Sequence, residues 1–425
     1  MYNFNTDNYE MKREIINFSD KLSKGVSKAN KKFTLDLQYG ISASKSVLLS
    51  EISRELKEKI PIANTIDRLS INTSQLSEES LNLINDNYLK MVENNVGEKA
   101  LVILDDSDIA KPYGKAFEDL SYVRDGSAID NKQVLGYNIC EAVVVSKNQK
   151  QPISLYSEVY STISNGFKSK NTYSKESIKV SQKVLSKKQV TYVADRSYDA
   201  NWFLDTFLNK SQNDKFVLRI RKNRRLIFKN KTKNAYSAAL KRKGKVRMDL
   251  QFTGYKEKIV TYISHTRVKL PAFLNKTVYL VIVYGLSEEH PMLLLTNKEI
   301  KDKKDVISVV RDYMSRWRIE EYFRFKKQEY GFEGFRVRSL HSIKVINKML
   351  TYHIGMIGLI ADKLNQKLLG LKIIERSKSI KRKLTIYYYQ ISRGIAEILS
   401  YAQVGIAIKY KNRRPPDYVQ SKLAF

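Results

Sequence analysis

The chain has 425 residues, with 76 Lys plus Arg against 44 Asp plus Glu, a formal net charge of +32. At 42% hydrophobic residues it is too apolar for a disordered basic tail, and it is long enough for about three domains with cores that need no staples. One cysteine, Cys140, excludes an internal disulfide and a cysteine-based zinc site, and four histidines leave oxygen-ligated hard ions such as Mg²⁺ as the metal class to expect. A folded chain with this charge excess calls for a polyanion, and nucleic acid fits best. No run of about 18 apolar residues offers a membrane span, and MYNFNTDNYEMKREIINF lacks the apolar stretch of a signal peptide. A reducing, cytoplasmic compartment is expected, with nucleoid association when DNA is bound.

Residues 1–97 are predicted helical. Val47, Leu48, Ile52, Leu56 and Ile60 recur at near-helical spacing up to Pro61, which stops that helix. Ile62, Ile66 and Leu69 make a second stretch, and Ser77 before Glu78 and Glu79 caps a third helix through Val92. Three short helices fit a helix-turn-helix DNA reader and a plain bundle about equally.

From Ala100 the texture turns to strands. LVILDD (101–106), NICEAVVV (138–145) and PISLYSEVY (152–160) precede a helix at 173–185 and a further strand, VTYVADRSYD (190–199). That order predicts an α/β unit whose first three strands are antiparallel. Residues 213–296 form a β-rich block with a basic rim, where alternation puts Arg219 and Arg221 on one face as DNA-backbone contacts, with Arg224 and Arg225 at the turn. A helix is expected from about Asp305 to Tyr330, closing at Gly331. Residues 340–425 are helical and basic, with an irregular tail at NRRPPDY (412–418).

An acid at the carboxyl end of a buried strand stands in the crevice where α/β sheets bind ligands. Two strands end this way, at Asp105 and Asp106 and at Asp195. Side chains alternate along a strand, so only one of Asp105 and Asp106 can join a given site. A third acid lies in DYMSRWRIEEYFRFKKQEYGF. From Tyr313, residues Arg316, Glu320 and Lys327 fall at roughly 300°, 340° and 320° around a helix, one narrow face flanked by Trp317 and Arg324. An exposed ladder of i,i+4 ion pairs is the plain alternative. Against it, the stripe begins apolar at Val306, Val309 and Val310 and sets three cations around one acid, as a metal ligand beside a phosphate backbone would require.

Tyr313, Arg316, Glu320 and Lys327 match the Y-x2-R-x3-E-x6-K signature at every spacing. On these residues the chain resembles a large group of bacterial insertion-sequence DDE transposases, which carry a β-strand insertion in an RNase H-like catalytic domain. LVILDDSDIAK resembles the group's first-Asp region, where an Asp before a hydroxyl residue selects Asp106 ahead of Ser107, with Asp105 as the other register; the group more often has Thr near Ser107. VADRSYDANWFL resembles the second-Asp region and selects Asp195. The resemblance covers about 100–340.

It implies an α/β fold: a helical N-terminal DNA-binding domain (1–97), an RNase H-like catalytic domain (98–212 and 297–345), a β insertion (213–296) and a helical C-terminal region (346–425). It implies cleavage of the ends of a mobile element and their joining to target DNA, with a homodimer at work. Asp106, Asp195 and Glu320 would hold two Mg²⁺, replaceable by Mn²⁺, about 3.5–4 Å apart for in-line displacement at phosphorus. Tyr313, Arg316 and Lys327 would bind end phosphates, with Trp317 and Arg324 beside them. A flipped base would stack on an aromatic of the insertion: Tyr255, Tyr262 or Phe228. The rivals are an RNase H-fold nuclease without strand transfer and a non-catalytic DNA-binding protein derived from a transposase.

Overall fold

The structure is a computed structural model that describes residues 4–124, 132–146, 151–211, 213–251, 258–361, 368–378 and 388–406. Tyr255 and the 412–418 tail lie outside the described residues.

Five helices open the chain: α1 (Phe4–Leu22), α2 (Lys28–Ser44), α3 (Leu49–Leu56), α4 (Ile62–Gln75) and α5 (Glu78–Glu93). Ser77 caps α5, its hydroxyl accepting from the Ser80 N–H, and two glutamates of the first turn complement the helix dipole. The helix expected to run to Pro61 stops sooner. Lys57 turns into the left-handed region at φ 47°, and Pro61 stands at the N-cap of α4.

Strands β1 (Lys99–Ala110), β2 (Ser121–Arg124), β3 (Gln133–Ser146) and β4 (Ile153–Tyr160) precede α6 (Lys170–Val184), β5 (Gln189–Ala194), α7 (Asn201–Asp205) and β6 (Lys215–Arg219). β3 lies antiparallel between β1 and β4, while β5 runs parallel to β1 and β6 parallel to β5. Then come β7 (Arg225–Phe228), β8 (Lys231–Asn234), α8 (Ala235–Ala239), β9 (Val246–Leu250), β10 (Ile259–Leu270), β11 (Phe273–Tyr284) and β12 (Met292–Thr296). They continue the same sheet. Its order is β2-β3-β1-β5-β6-β12-β11-β10-β7-β8, with β4 beside β3 and β9 beside β10. The segment KFVLR, expected to open the basic block, is therefore shared: as β6 it pairs with β5 on one side and β12 on the other.

The chain closes with α9 (Lys303–Met314), α10 (Trp317–Arg324), α11 (Leu340–Ala361), α12 (Leu368–Arg376) and α13 (Tyr388–Ser400). The single helix expected over 305–330 is two. Around Ser315 and Arg316 the backbone tightens to i→i−3 bonds, Arg316 N–H to Tyr313 and Ile319 N–H to Arg316. After α10 the chain widens into a π turn at Phe325–Glu329, and Gly331 ends it in the left-handed region at φ 57°, where a Cβ is disfavoured. Val306, Val309, Val310 and Tyr313 of α9 bury against Val193, Val217, Val281 and Leu294 of the sheet.

Helices α1 and α2 share one helical body with α11, α12 and α13. Asn8 donates to the Ile398 carbonyl at 3.2 Å and Gln38 to that of Met349 at 2.9 Å, and Lys372 pairs with Asp7 at 2.5 Å. Inside it His353 is fully buried, with Nε2 2.9 Å from the Tyr330 hydroxyl. Burial lowers its pKa to about 3. Between about pH 3 and 6.5 the unfolded chain binds a proton here that the native chain does not, so this site makes stability fall as the pH falls through that window. His353→Gln should flatten the acid limb of a pH–melting profile between pH 6.5 and 4, by up to roughly 3 kcal/mol. An unchanged limb would show that His353 accepts its proton in the folded state.

Candidate active site

The acids are placed by β1 and β5. The parallel register runs from Lys99 beside Gln189 to Leu104 beside Ala194. In this register Asp105 follows the last paired residue of β1 and Asp195 that of β5, and the two carboxylates are near enough for the charge of Asp195 to act on Asp105. Across the antiparallel ladder Asp105 faces Glu141, and Asp106 faces Cys140. Residues directly opposite share a sheet face, so Asp105 and Asp106 belong to different faces.

The Asp105 face lies under α10. Arg316 donates to Asp105 at 3.1 Å and also to Glu320 one turn on, so one guanidinium bridges the two acids. Asp106, the register chosen from Ser107, points instead toward α6. Its neighbours are the Cys140 thiol, which hydrogen-bonds it, and Lys170, and its Oδ1 is buried without a partner. The motif selects Asp106, whereas Asp105 is the residue that Arg316 bridges to Glu320; the charge of Asp195 acts on both.

Burial pushes the Asp105 carboxyl up to about 7, opposed by Arg316 and reinforced by Asp195 and Asp106. Burial also pushes Asp106 up to about 6, with Cys140 and Lys170 pulling the other way. Asp195 caps the short turn Arg196–Tyr198, accepting from the Ser197 N–H at 2.8 Å and from its hydroxyl.

The other predicted residues divide. The Tyr313 ring belongs to the core, 6% exposed, with its phenol near Arg316. Trp317 opens α10 half-buried. Arg324 is drawn to Glu321 at 2.5 Å, away from Asp105. Lys327 lies 3.2 Å from Glu333 and 3.8 Å from Asp108. Arg219 ends β6, and Arg221 with Arg224 and Arg225 lines a cavity of about 360 Å³ just beyond it. There Asp199 accepts from the Arg221 N–H at 2.9 Å and pairs with Arg224 at 3.5 Å. Phe228 is buried, whereas Tyr262 is 47% exposed.

One pair was missed. Lys326, 1% exposed, lies 3.4 Å from the fully buried Glu141 and within 3.1 Å of the Ser157 and Thr351 hydroxyls. Glu141 also accepts from Ser154 at 2.8 Å and Ser157 at 2.9 Å. The signal was present: a glutamate inside the apolar run NICEAVVV has to find a buried cation.

The donor set suits a hard divalent ion. Asp105, Asp195 and Glu320 offer only carboxylate oxygens, and on the other face of β1 the Asp106 Oδ1 is buried without a partner. Among the described residues, however, no three Asp, Glu, His or Cys side chains close into a ready ligand cage. Arg316 stands between Asp105 and Glu320 as the cation of the site. Among the described residues no helix is long and apolar enough to cross a membrane.

No protein-family model matches the chain, and no curated protein matches it. Among solved structures it is similar to a piggyBac transposase synaptic complex with hairpin DNA, seen by cryo-EM. The TM-score is 0.46 and the identity 10%, over 98% of this chain and 85% of that one.

Proposed function

We propose that the chain is a DDE transposase of the Y-x2-R-x3-E-x6-K group, acting on the ends of its own mobile element and on target duplex DNA. In this reading β4-β3-β1-β5-β6 is an RNase H-like sheet, and the strands added after β6 are the family's β insertion. The observation that carries it is Arg316 linking Asp105, just past the parallel pairing of β1 with β5, to Glu320 on α10.

Asp105, Asp195 and Glu320 are the acids that would hold the metal, with Asp106 behind them on the far face. Two Mg²⁺, or Mn²⁺, bound there would activate the attacking oxygen and stabilise the leaving one. The protein's part is to bind and orient. Arg316 exchanges its carboxylate partners for a phosphate, which frees Glu320 to turn toward Asp105. Arg grips phosphate bidentately, and Lys327 adds a point charge one helical face away. Holding two ends together requires at least two copies.

The test uses the full chain and a supercoiled plasmid carrying the DNA that flanks its coding region. With Mg²⁺ or Mn²⁺ it should nick at the ends and form joint molecules with target DNA, and EDTA should stop both. Nicking without joining would favour the nuclease, and binding without nicking would discard the enzyme. Duplex affinity should fall about 10³-fold or more between about 50 and 200 mM salt, because a chain of this charge binds by counterion release. A flat salt dependence in fluorescence anisotropy would remove the nucleic-acid reading.

A further inference from the structure

A second cationic surface lies at the opposite end of the same strands. A groove of about 960 Å³ is bordered by Lys99, Lys187, Lys188, Lys215, Lys298 and Arg318. Lys99 opens β1, Lys188 precedes β5 and Lys215 opens β6, so three of these cations mark the amino ends of the parallel strands. From Lys99 to Asp105 is six strand residues, about 20 Å. Along α9 the groove passes Ser308 and Asp312 and ends at Ser315, next to Arg316. It therefore leads from the far edge of the sheet up to the junction that carries the candidate site.

Its chemistry is one-sided. Among the described residues Asp312 is the one carboxylate lining it, and that acid is already paired with Lys298 at 2.7 Å. Lys188 leans on Glu98 at 3.2 Å, an acid that is itself 83% exposed and so only weakly compensates it. A groove lined by six cations and one already paired carboxylate is complementary to an anion of repeated charge. The residue type differs from the carboxyl end of the sheet, where Arg221, Arg224 and Arg225 cluster. Five of the six groove cations are lysines, which act as point charges and meet a phosphate without fixing its geometry.

We infer that this groove holds the phosphate backbone of a second DNA duplex, bound without regard to sequence, while the transposon end occupies the carboxyl ends of the strands. The inference rests on the transposase reading for the identity of that second duplex, which is the target. The groove itself needs only a polyanion.

The test compares Lys187→Ala/Lys188→Ala/Lys215→Ala with Lys175→Ala/Lys179→Ala/Lys183→Ala, which removes the same charge from the exposed face of α6, outside the groove. Anisotropy with a random-sequence duplex is read against salt. Each lost phosphate contact should reduce the slope of log affinity on log salt by about 0.9, so the groove variant should lose about 2–3 units of slope and the control variant less than one. Nicking of the flanking-DNA plasmid should survive in the groove variant, while joining to target falls at least about tenfold. Equal slope changes in the two variants, or none in the groove variant, would overturn the proposal, as would parallel loss of nicking and joining. A groove-specific loss of slope in a protein that nicks nothing would keep the binding site and discard the transposase.

Discussion

Asp105→Asn is expected to abolish metal-dependent cleavage, by on the order of 10³-fold or more, while Asp106→Asn stays within about tenfold of the parent. The two acids are neighbours in sequence and differ only in the sheet face they serve. Asp105 feels the charge of Asp195 and is linked through Arg316 to Glu320. Asp106 lies under α6 with Cys140 and contributes negative potential from behind. Asp195→Asn and Glu320→Gln should match Asp105→Asn, because in the proposed mechanism all three acids serve one displacement, and DNA binding should persist in each. Glu321→Gln is the control on α10: Glu321 pairs with Arg324, and the variant should remain active. Melting curves check that each variant folds. Activity in Asp105→Asn with loss in Asp106→Asn would return the first acid to the residue before Ser107 and put Glu320 on the wrong side of the sheet.

What the sequence disclosed follows from which rules are local. The two strand ends with acids were visible because an apolar run closing on Asp is a short-range pattern, and so was the cap at Ser77. The order of three antiparallel strands, a helix and a strand was visible for the same reason, though the parallel pairing of that last strand and the short β2 were not. The choice between Asp105 and Asp106 was not, since parity depends on how β1 sits between β3 and β5. Periodicity also overran the break at Ser315. A 100° step places Arg316 and Glu320 on one face whether or not the backbone tightens there, but it does not hold out to Lys327, which lies within the π turn. The continuity of β6 with β12 was hidden because strand pairing across more than 70 residues leaves no mark in either segment. The joining of α1 and α2 to α11 and α13 is long-range packing of the same kind.

Lys326→Met should destabilise the protein by about 3–5 kcal/mol, whereas Lys327→Ala next to it should cost less than about 1 kcal/mol. Lys326 is buried against Glu141, and removing its charge strands a carboxylate in the core between Ser154 and Ser157. Burial alone already lowers the Lys326 pKa to about 8 despite Glu141, so desolvation outweighs the attraction of its partner. That balance makes the double variant informative. Lys326→Met/Glu141→Gln removes both charges and keeps the volumes, and it should recover most of the lost stability. The consequence for function follows from position. Lys326 lies just past the end of α10, six residues beyond Glu320, and ties that end to β3 and β4 and to Thr351 of α11. Losing the tie lets Glu320 move relative to Asp105, so cleavage should fall in Lys326→Met at temperatures where the protein is still folded and return in the double variant. Lys327 faces Asp108 and Glu333 at the surface, and its variant should instead melt normally and bind end DNA more weakly. If the single and double variants melt together, Glu141 finds another partner and the pair does not anchor α10.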